Sequence, residues 1–534
     1  MTGFFGWLFC RKETDKGKKP VATAKPAGMA ATSKPPKPAE ATAPAPKPTA
    51  AKPASPTAPS APHQMQTQAP KPQSAAAQTV APVPPPIAIK PPQSATNQTS
   101  AATLPAAMSG NAKNSALENS KVDQIKPFPT QFPDAEFVII ELFGGDNNLS
   151  AFVNEDLQEM AAGIAGGKIA ILGLTDLSGK PGAIVEVTPQ HGIQIIEELG
   201  EIDTGDPEIL HAFLVRALVT HPKARKAIGF WDHGTGVFDE TDNSEKIMTR
   251  RINSVTREDR SRSRPARRLF FPKSSLEKDG DTRAMLHDDT NGGVLTNLEA
   301  GAMLRAALKD AGITSKIDLI FSDTCLNGMI EVLDELGSAA KVIVSSQDLE
   351  PGDGWDYKRW LAKLVAAPPP SAEDWGKYAV EAFKEGYEPF PKKWPCTLGC
   401  FRTDHGITKA FAELIAACRK ANGFASFVYL DHARAQTQGF AQRDTYDVRD
   451  FAEKVAAIAG QGMPEVATAA QNIIKAYDAA KVTSVALGKF VTKSTGISFY
   501  FPSSRSQMGR DIGTYEKLAF AKNSGWADFL KEFR

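Results

Sequence analysis

The fold is decided by two segments, Ala227-Ile-Gly-Phe-Trp-Asp-His-Gly234 and Ile317-Asp-Leu-Ile-Phe-Ser-Asp-Thr-Cys325. Each is an apolar run that ends in polar residues, a pattern typical of a buried strand in a parallel sheet. Parallel strands end at one edge of the sheet, where α/β folds bind their ligands. We therefore expect His233 and Cys325 to lie close together at that edge.

A cysteine beside a histidine is sufficient for a cysteine peptidase. The thiolate is the nucleophile, and the imidazole removes the thiol proton and later protonates the leaving amine. The backbone N–H groups of Gly234 and Cys325 are the candidate oxyanion donors. Taken singly, a cysteine in an apolar run is usually a small buried hydrophobe, and a lone histidine is usually structural. Residues 326–336 favour the catalytic interpretation, because they predict an amphipathic helix whose N-terminus would stabilise the thiolate.

Four further segments carry a resemblance to a known family. They are Phe137-Val-Ile-Ile-Glu-Leu-Phe-Gly-Gly-Asp-Asn-Asn-Leu149, Asp323-Thr-Cys-Leu-Asn-Gly-Met-Ile-Glu331, Ser345-Ser-Gln-Asp-Leu-Glu-Pro-Gly-Asp-Gly-Trp-Asp-Tyr357 and Gly496-Ile-Ser-Phe-Tyr-Phe-Pro502. The chain resembles the clostripain-like cysteine peptidases, relatives of the caspase, gingipain and legumain group, from about residue 136 to about residue 505. It departs from their pattern at Thr324, where alanine is usual, and at Asn327, where methionine is usual. The wall beside the nucleophile is therefore more polar.

The resemblance implies an α/β fold, with a caspase-like, mostly parallel sheet flanked by helices on both faces and a helical C-terminal region. We expect four parts: a short aromatic and basic foot (1–12), a disordered tether rich in Pro, Ala and Lys (13–125), the peptidase core (126–420, with a basic insert at 237–286) and a C-terminal subdomain that completes the peptidase (421–534). The tether has almost no aromatic residues with which to build a core.

The foot contains Phe4-Phe-Gly-Trp-Leu-Phe-Cys10, followed by Arg11 and Lys12. It is too short to span a bilayer, and it lacks the n-region and cleavage site of a secretory signal. Residues 4–12 could bind a membrane surface, dock on another protein or be a frayed tail. Five cysteines in 534 residues do not make a disulfide framework. We expect a cytoplasmic protein, with peripheral membrane association and secretion left open.

The basic insert contains Thr249-Arg-Arg-Ile252 and Arg257-Glu-Asp-Arg-Ser-Arg-Ser-Arg-Pro-Ala-Arg-Arg268. By composition it is a solvated loop or an anion-binding patch. The resemblance implies cleavage after Arg or Lys, and self-processing in this interval. The candidate self-cleavage residues are Lys246, Arg250, Arg251, Arg267 and Arg268.

Cleavage after a basic residue requires carboxylates in the P1 pocket, because a buried guanidinium must be paired to offset its desolvation. Asp323 lies two residues before Cys325 on the same strand face. Asp353 lies in a Gly-rich turn of the segment that lines the family's pocket. We expect these two aspartates to bind the P1 side chain, with Glu350 and Asp356 in reserve. Surface solvation is the alternative for Asp353.

Two other candidates are excluded by position. Asp232 precedes His233, and neighbours in a strand point to opposite faces, so we place Asp232 outside the site. A second Asp-His-Gly at residues 404–406 follows the Cys strand and directly precedes a predicted helix. We interpret His405 as part of a helix-capping region.

The dyad requires no organic cofactor and no metal. Calcium is implied only by the resemblance; Asp288, Asp289 and Asn291 form an oxygen-rich turn, but they lack EF-hand spacing. Cys396-Thr-Leu-Gly-Cys400 has no second Cys or His pair at a matching distance, so we interpret it as strand core.

The sequence predicts a cysteine endopeptidase that cleaves after Arg, with Lys left open as a second P1 residue, through a Cys325 acyl-enzyme with His233 as general base and acid. Its partners would be peptides or proteins containing Arg or Lys. The net charge of +1 predicts no nucleic-acid partner. The alternatives are a peptidase with another P1 preference and a non-catalytic tethered adaptor that binds basic peptides on a peptidase-like fold.

Overall fold

The computed structural model describes residues 125–237, 285–366, 370–390, 395–460 and 462–533. The foot, nearly all of the tether and most of the basic insert lie outside these residues. Five candidate self-cleavage residues also lie outside them: Lys246, Arg250, Arg251, Arg267 and Arg268.

Thirteen strands and twelve helices are present in the described residues. The strands are β1 Phe137–Gly145, β2 Ile169–Leu177, β3 Gly182–Thr188, β4 Gly192–Gly200, β5 Arg225–Trp231, β6 Met285–His287, β7 Val294–Leu295, β8 Ile317–Asp323, β9 Ala340–Ser345, β10 Cys396–Arg402, β11 Thr445–Asp447, β12 Lys481–Leu487 and β13 Ser498–Tyr500. The helices are α1 Ser150–Gly163, α2 Pro207–Thr220, α3 Asn297–Asp310, α4 Ile330–Leu336, α5 Tyr357–Ala366, α6 Ala372–Tyr387, α7 Ile407–Gln436, α8 Val448–Ala459, α9 Pro464–Ala480, α10 Arg505–Tyr515, α11 Ala519–Ser524 and α12 Trp526–Phe533.

Nine strands form one sheet in the order β12-β10-β9-β8-β5-β1-β2-β3-β4. The five central strands, β9, β8, β5, β1 and β2, run parallel. The outer strands on both sides pair antiparallel. The central runs are apolar because helices cover both faces, and β5 and β8 are buried along nearly their whole length. The expected mostly parallel α/β sheet is confirmed.

Two apolar cores lie on the two faces of this sheet. One contains α1, α5 and α6, with Trp360 and Trp375 among its buried residues. The other contains α2, α3 and the helices from α7 onward. In this second core Trp526 of α12 packs against Phe411 and Phe501, so the last helix of the chain shares a core with β13 and α7. The expected helical C-terminal region is present.

The segment after the nucleophile differs from the prediction. The helix begins at Ile330, not at Leu326, and six of its seven residues are buried, so it is not amphipathic. Leu326 has a φ of 66°. A branched residue in this left-handed region cannot belong to an α-helix, and the chain turns sharply there.

Several smaller expectations agree with the structure. His405 lies just before α7; its Nδ1 accepts from the N–H of Ile407, and its Nε2 lies 3.1 Å from Asp334. Cys396 and Cys400 are free thiols buried in β10. Among the described residues, none of the helices is both long and apolar enough to cross a bilayer.

Candidate active site

Three adjacent parallel strands deliver the residues of the site to one edge of the sheet. Trp231, the last residue of β5, is in register with Phe143 of β1 and with Asp323 of β8. Asn148 lies in the loop after β1, His233 in the loop after β5 and Cys325 in the loop after β8. The order β1-β5-β8 therefore brings together side chains that are far apart in the sequence.

The His233 and Cys325 segments are in direct backbone contact. A Cβ at Gly234 would overlap the carbonyl oxygen of Cys325 and would lie 2.8 Å from Cβ of Thr324. Only glycine allows this approach. His233 and Cys325 also line one cavity. The structure thus brings the two predicted catalytic residues together.

His233 is 5% exposed, and its Nε2 lies 2.9 Å from Oδ1 of Asn148. An amide oxygen only accepts hydrogen bonds, so Nε2 donates in this contact, and in a neutral ring Nδ1 would then be the basic nitrogen. Asn148 was not among the predicted site residues, although the Asp-Asn-Asn-Leu turn that contains it belongs to a segment that carries the family resemblance.

The surroundings of Cys325 disfavour its thiolate form. Its sulfur accepts a hydrogen bond from the N–H of Glu350 at 3.2 Å. Burial raises the pKa of Cys325 to about 12, and the charges of Asp348, Asp323 and Asp232 act in the same direction. The expected stabilisation of a thiolate by a helix N-terminus is therefore wrong, because the helix begins five residues after the sulfur.

The two departures from the family pattern contact each other. The side-chain amide of Asn327 donates to Oγ1 of Thr324 at 2.5 Å, and Thr324 shares a second hydrogen bond with Ser322 at 2.7 Å. Both polar side chains are buried. They stabilise the turn that follows β8, which carries Cys325.

The cavity has an acidic lining. The N–H of Trp355 and the hydroxyl of Tyr357 donate to Asp323 at 3.2 and 2.9 Å. Burial raises the pKa of Asp323, while burial and the neighbouring charge of Asp323 raise that of Glu350 well above its usual value. The two carboxyl groups are therefore harder to ionise together than either would be alone. The other lining residues are Leu149, Phe152, Asp156, Trp231, Asp232, His233, Thr324, Cys325, Leu349, Pro351, Gly352 and Gly354.

Two further buried carboxyl groups, Asp156 in the cavity wall and Glu141 in β1, were not among the predicted site residues. Asp156 of α1 accepts from the indole N–H of Trp231 at 2.7 Å, and burial raises its pKa. Glu141 of β1 is fully buried and neither of its oxygens has a hydrogen-bond partner. Burial raises its pKa well above the usual value. An acid inside an apolar strand is the sequence signal that could have identified Glu141.

The remaining predicted acids lie in different surroundings. Asp353 is exposed and does not line the cavity, because the turn directs the backbone of Gly354 towards Asp323 instead. Asp356 forms an ion pair with Arg359 at 2.9 Å. Asp232 contributes to the cavity wall, but its carboxylate accepts from the side-chain amide of Asn147 at 2.7 Å and from the N–H of His287.

A separate acidic cluster lies at the same edge of the sheet. Asp146, Asp176 and Glu201 are the one group of His, Cys, Asp or Glu residues in the described ranges that is spaced to hold a metal ion. Burial and the charges of Asp288 and Asp146 raise the pKa of Asp176 to about 8. Asp288, Asp289 and Asn291 were noted in the sequence as an oxygen-rich turn.

Comparisons with known proteins agree with this architecture. A family model described as the clostripain family matches residues 142–254 and 274–533. None of the curated proteins matches this sequence.

Two solved structures show the same fold. An inactive zymogen C11 protease from Parabacteroides distasonis is 17% identical, with a TM-score of 0.50 over 74% of this chain and 99% of that one. A secreted C11 cysteine protease from Bacteroides thetaiotaomicron, iotapain, is 11% identical, with a TM-score of 0.51 over 73% of this chain and 99% of that one. At these identities the likeness concerns the fold.

Proposed function

The chain belongs to the clostripain family and is a cysteine peptidase, and we propose that Cys325 and His233 are its catalytic dyad and that it cleaves after Arg or Lys. The observation that carries this proposal is the contact of Gly234 with the carbonyl of Cys325 at the rim of a cavity lined by buried carboxyl groups. That contact supports the proposal because it brings the loops that carry His233 and Cys325 side by side, and carboxyl groups are suited to pair with a basic side chain.

The reaction follows from the assigned tautomer. Nδ1 of His233 accepts the thiol proton while Sγ of Cys325 attacks the scissile carbonyl carbon. The backbone N–H groups of Gly234 and Cys325 donate to the oxyanion, and the imidazolium then protonates the leaving amine. A water molecule, deprotonated by Nδ1, attacks the thioester and releases the new carboxyl end. The thiol is regenerated.

The raised pKa of Cys325 favours a general-base mechanism. A thiol that is neutral at rest would pass its proton to His233 as it attacks, and a preformed ion pair would not be required. Asn148 supports the step, since its oxygen holds the Nε2 proton and keeps Nδ1 available as the base.

The cavity supports basic P1 specificity. A guanidinium or ammonium group that enters it can pair with Asp323, and its positive charge favours the ionised forms of Asp323 and Glu350. Asp156 adds a third carboxyl group to the wall. The pairing offsets the cost of moving the cation out of water.

Self-processing in the basic insert is compatible with the fold on either side of it. Gly234 is bridged to Met285, so both ends of the interval are held together by the protein. Cleavage after Lys246, Arg250, Arg251, Arg267 or Arg268 would leave His233 and Cys325 attached to their strands.

The test compares wild type with Cys325→Ala on fluorogenic peptides that end in Arg, Lys, Asp or Leu, and follows both chains on a denaturing gel. Turnover of the Arg and Lys peptides with fragmentation of the chain is expected in wild type alone. Cys418→Ala, which removes a thiol buried in the other core, is the matched control and should keep activity. Preferential cleavage after Asp or Leu would contradict the proposed specificity, and turnover by Cys325→Ala would contradict the dyad.

A further inference from the structure

The cavity at the catalytic edge is rich in acids and poor in bases. Beside the dyad, four acidic residues line it: Asp156, Asp232, Asp323 and Glu350. Among the described residues, no lysine or arginine belongs to this lining. The imidazole of His233 is therefore the one described side chain of the lining that can carry a positive charge near neutral pH. A thiolate at Cys325 would form in surroundings dominated by carboxyl groups.

Asp323 is the acid of this lining on which the negative charge is best stabilised. Its carboxylate accepts from the N–H of Trp355 at 3.2 Å and from the hydroxyl of Tyr357 at 2.9 Å. Burial raises the pKa of Asp323, whereas these contacts and a hydrogen bond with Glu350 act in the opposite direction. For Glu350, burial and the charge of Asp323 both raise the pKa. The negative charge of the pair is therefore better stabilised on Asp323.

One short segment contacts both this acid and the nucleophile. The N–H of Glu350 donates to Sγ of Cys325 at 3.2 Å. The indole N–H of Trp355 donates to the carboxyl group of Glu350 at 3.1 Å, and the backbone N–H of the same Trp355 donates to Asp323. Burial and the charges of three nearby aspartates, with Asp323 among them, raise the pKa of Cys325 to about 12. The acid that faces the substrate thus also opposes ionisation of the thiol.

We propose that the basic side chain of the P1 residue activates Cys325 as well as binding to the enzyme. Its cation pairs with Asp323, offsets the carboxylate charge that opposes ionisation of the sulfur, and so eases transfer of the thiol proton to His233. The inference rests on the proposed function, because it uses the same dyad and the same P1 cavity. It adds that the substrate regulates the nucleophile: the empty cavity favours the protonated thiol, and Arg or Lys at P1 supplies the missing positive charge.

Asp323 is the one of the three aspartates that an entering cation can neutralise. Asp348 does not line the cavity, and its carboxylate accepts from the N–H of Ala441 at 2.9 Å. Asp232 lies in the cavity wall, but the side-chain amide of Asn147 donates to its carboxylate at 2.7 Å. Removing the charge of Asp323 should therefore reproduce part of the effect of the substrate.

Alkylation of Cys325 by iodoacetamide tests the inference without peptide hydrolysis. The label on Cys325 is counted by mass spectrometry in the full-length chain at pH 7, with propylguanidinium chloride or with propylurea. The two compounds have nearly the same shape, and only the first carries a charge. We expect propylguanidinium to increase the alkylation rate by about ten-fold or more, because a fall of one unit in the pKa of the thiol raises the thiolate fraction about ten-fold. Propylurea should not increase the rate.

Asp323→Asn supplies a second test, because it removes the charge while the cavity is empty. The variant should be alkylated about ten-fold faster than wild type and should no longer respond to propylguanidinium. Asp404→Asn removes an exposed carboxylate that pairs with Lys316; as the matched control, it should behave as wild type. A wild-type rate in Asp323→Asn, no acceleration of wild type by propylguanidinium, or equal acceleration by propylurea would overturn the activation.

The activation and the proposed function fail in different ways. A chain that cleaves Arg and Lys peptides but whose alkylation ignores propylguanidinium would overturn the activation and leave the dyad and its specificity in place. A chain that cleaves no peptide, yet whose alkylation rises with propylguanidinium and in Asp323→Asn, would overturn the proposed function alone.

Discussion

At the scale of single residues, we expect the protonation of the His233 imidazole to depend on its contact with Asn148. We expect Asn148→Ala to lower kcat by about ten- to a hundred-fold with little change in KM, because Nδ1 would no longer be held as the basic nitrogen. Asn148→Asp should restore part of the activity and move the acidic limb of the pH profile upward, since a carboxylate beside the ring raises the pKa of His233. Steady-state kinetics across pH measures both effects. An unchanged kcat in Asn148→Ala would show that the contact has no role in catalysis.

A second prediction at this scale concerns Asp323, which lies in the cavity, and Asp353, which lies outside it. We expect Asp323→Asn to lower kcat/KM for an Arg peptide by about a hundred-fold, because the P1 cation would lose its nearest charged partner in a buried site. Asn keeps an acceptor for Trp355 and Tyr357, so the fold should persist. Asp353→Asn is the control and should retain wild-type kinetics. Equal losses in the two variants would move the specificity pocket towards the exposed turn.

The site residues that could be predicted from the sequence are marked by the local pattern, whereas those that could not be predicted depend on partners distant in sequence. His233, Cys325 and Asp323 stand at the ends of apolar runs, so the local pattern alone marks them. Asn148 and Asp156 gain their surroundings from partners distant in sequence; the contact between Asn148 and His233 spans 85 residues. No local periodicity reports such a contact.

At the scale of elements, the close approach of the β5 and β8 loops can be tested at Gly234. We expect Gly234→Ala to reduce kcat/KM by about a hundred-fold or more, because a Cβ against the Cys325 carbonyl must displace one catalytic residue relative to the other. Gly166→Ala is the control, since a Cβ there meets nothing within 4 Å, although its φ of 73° adds some strain. Circular dichroism should show both variants folded. Normal turnover by Gly234→Ala would mean that the two loops can separate without loss of catalysis.

The strands were predictable and the turns between them were not. The continuous apolar runs of β1, β5 and β8 directly indicate strands that are covered by helices on both faces of a sheet. The start of α4 depends on the positive φ of Leu326, which packs against Leu349 and Ala441. Tertiary contacts stabilise that turn, and they cannot be read from the local sequence. The prediction from local sequence therefore began the helix four residues too early.

At the scale of the whole molecule, Glu331 joins the catalytic strand region to the C-terminal elements. It lies on α4 and accepts hydrogen bonds from the N–H of Tyr500 in β13 and the hydroxyl of Tyr515 in α10, both at 2.9 Å. Burial raises its pKa from 4.5 to about 7. Between these two pKa values the native state holds a proton that the unfolded chain releases. The free energy of unfolding should therefore fall as pH rises from about 4.5 to about 7. Above that range Glu331 should contribute little further change. The difference amounts to about 3 kcal/mol.

Glu331→Gln should remove this share of the pH dependence, because an amide keeps an acceptor for both tyrosine contacts and does not titrate. Urea unfolding at pH 4.5 and at pH 8 measures it: the difference in unfolding free energy between the two pH values should become smaller in the variant by about 3 kcal/mol. Glu413→Gln, an exposed glutamate of α7, should behave as wild type. If Glu331→Gln keeps the full pH dependence, Glu331 is ionised in the native state, and the C-terminal elements are held to the peptidase core by a charged group instead of a neutral one.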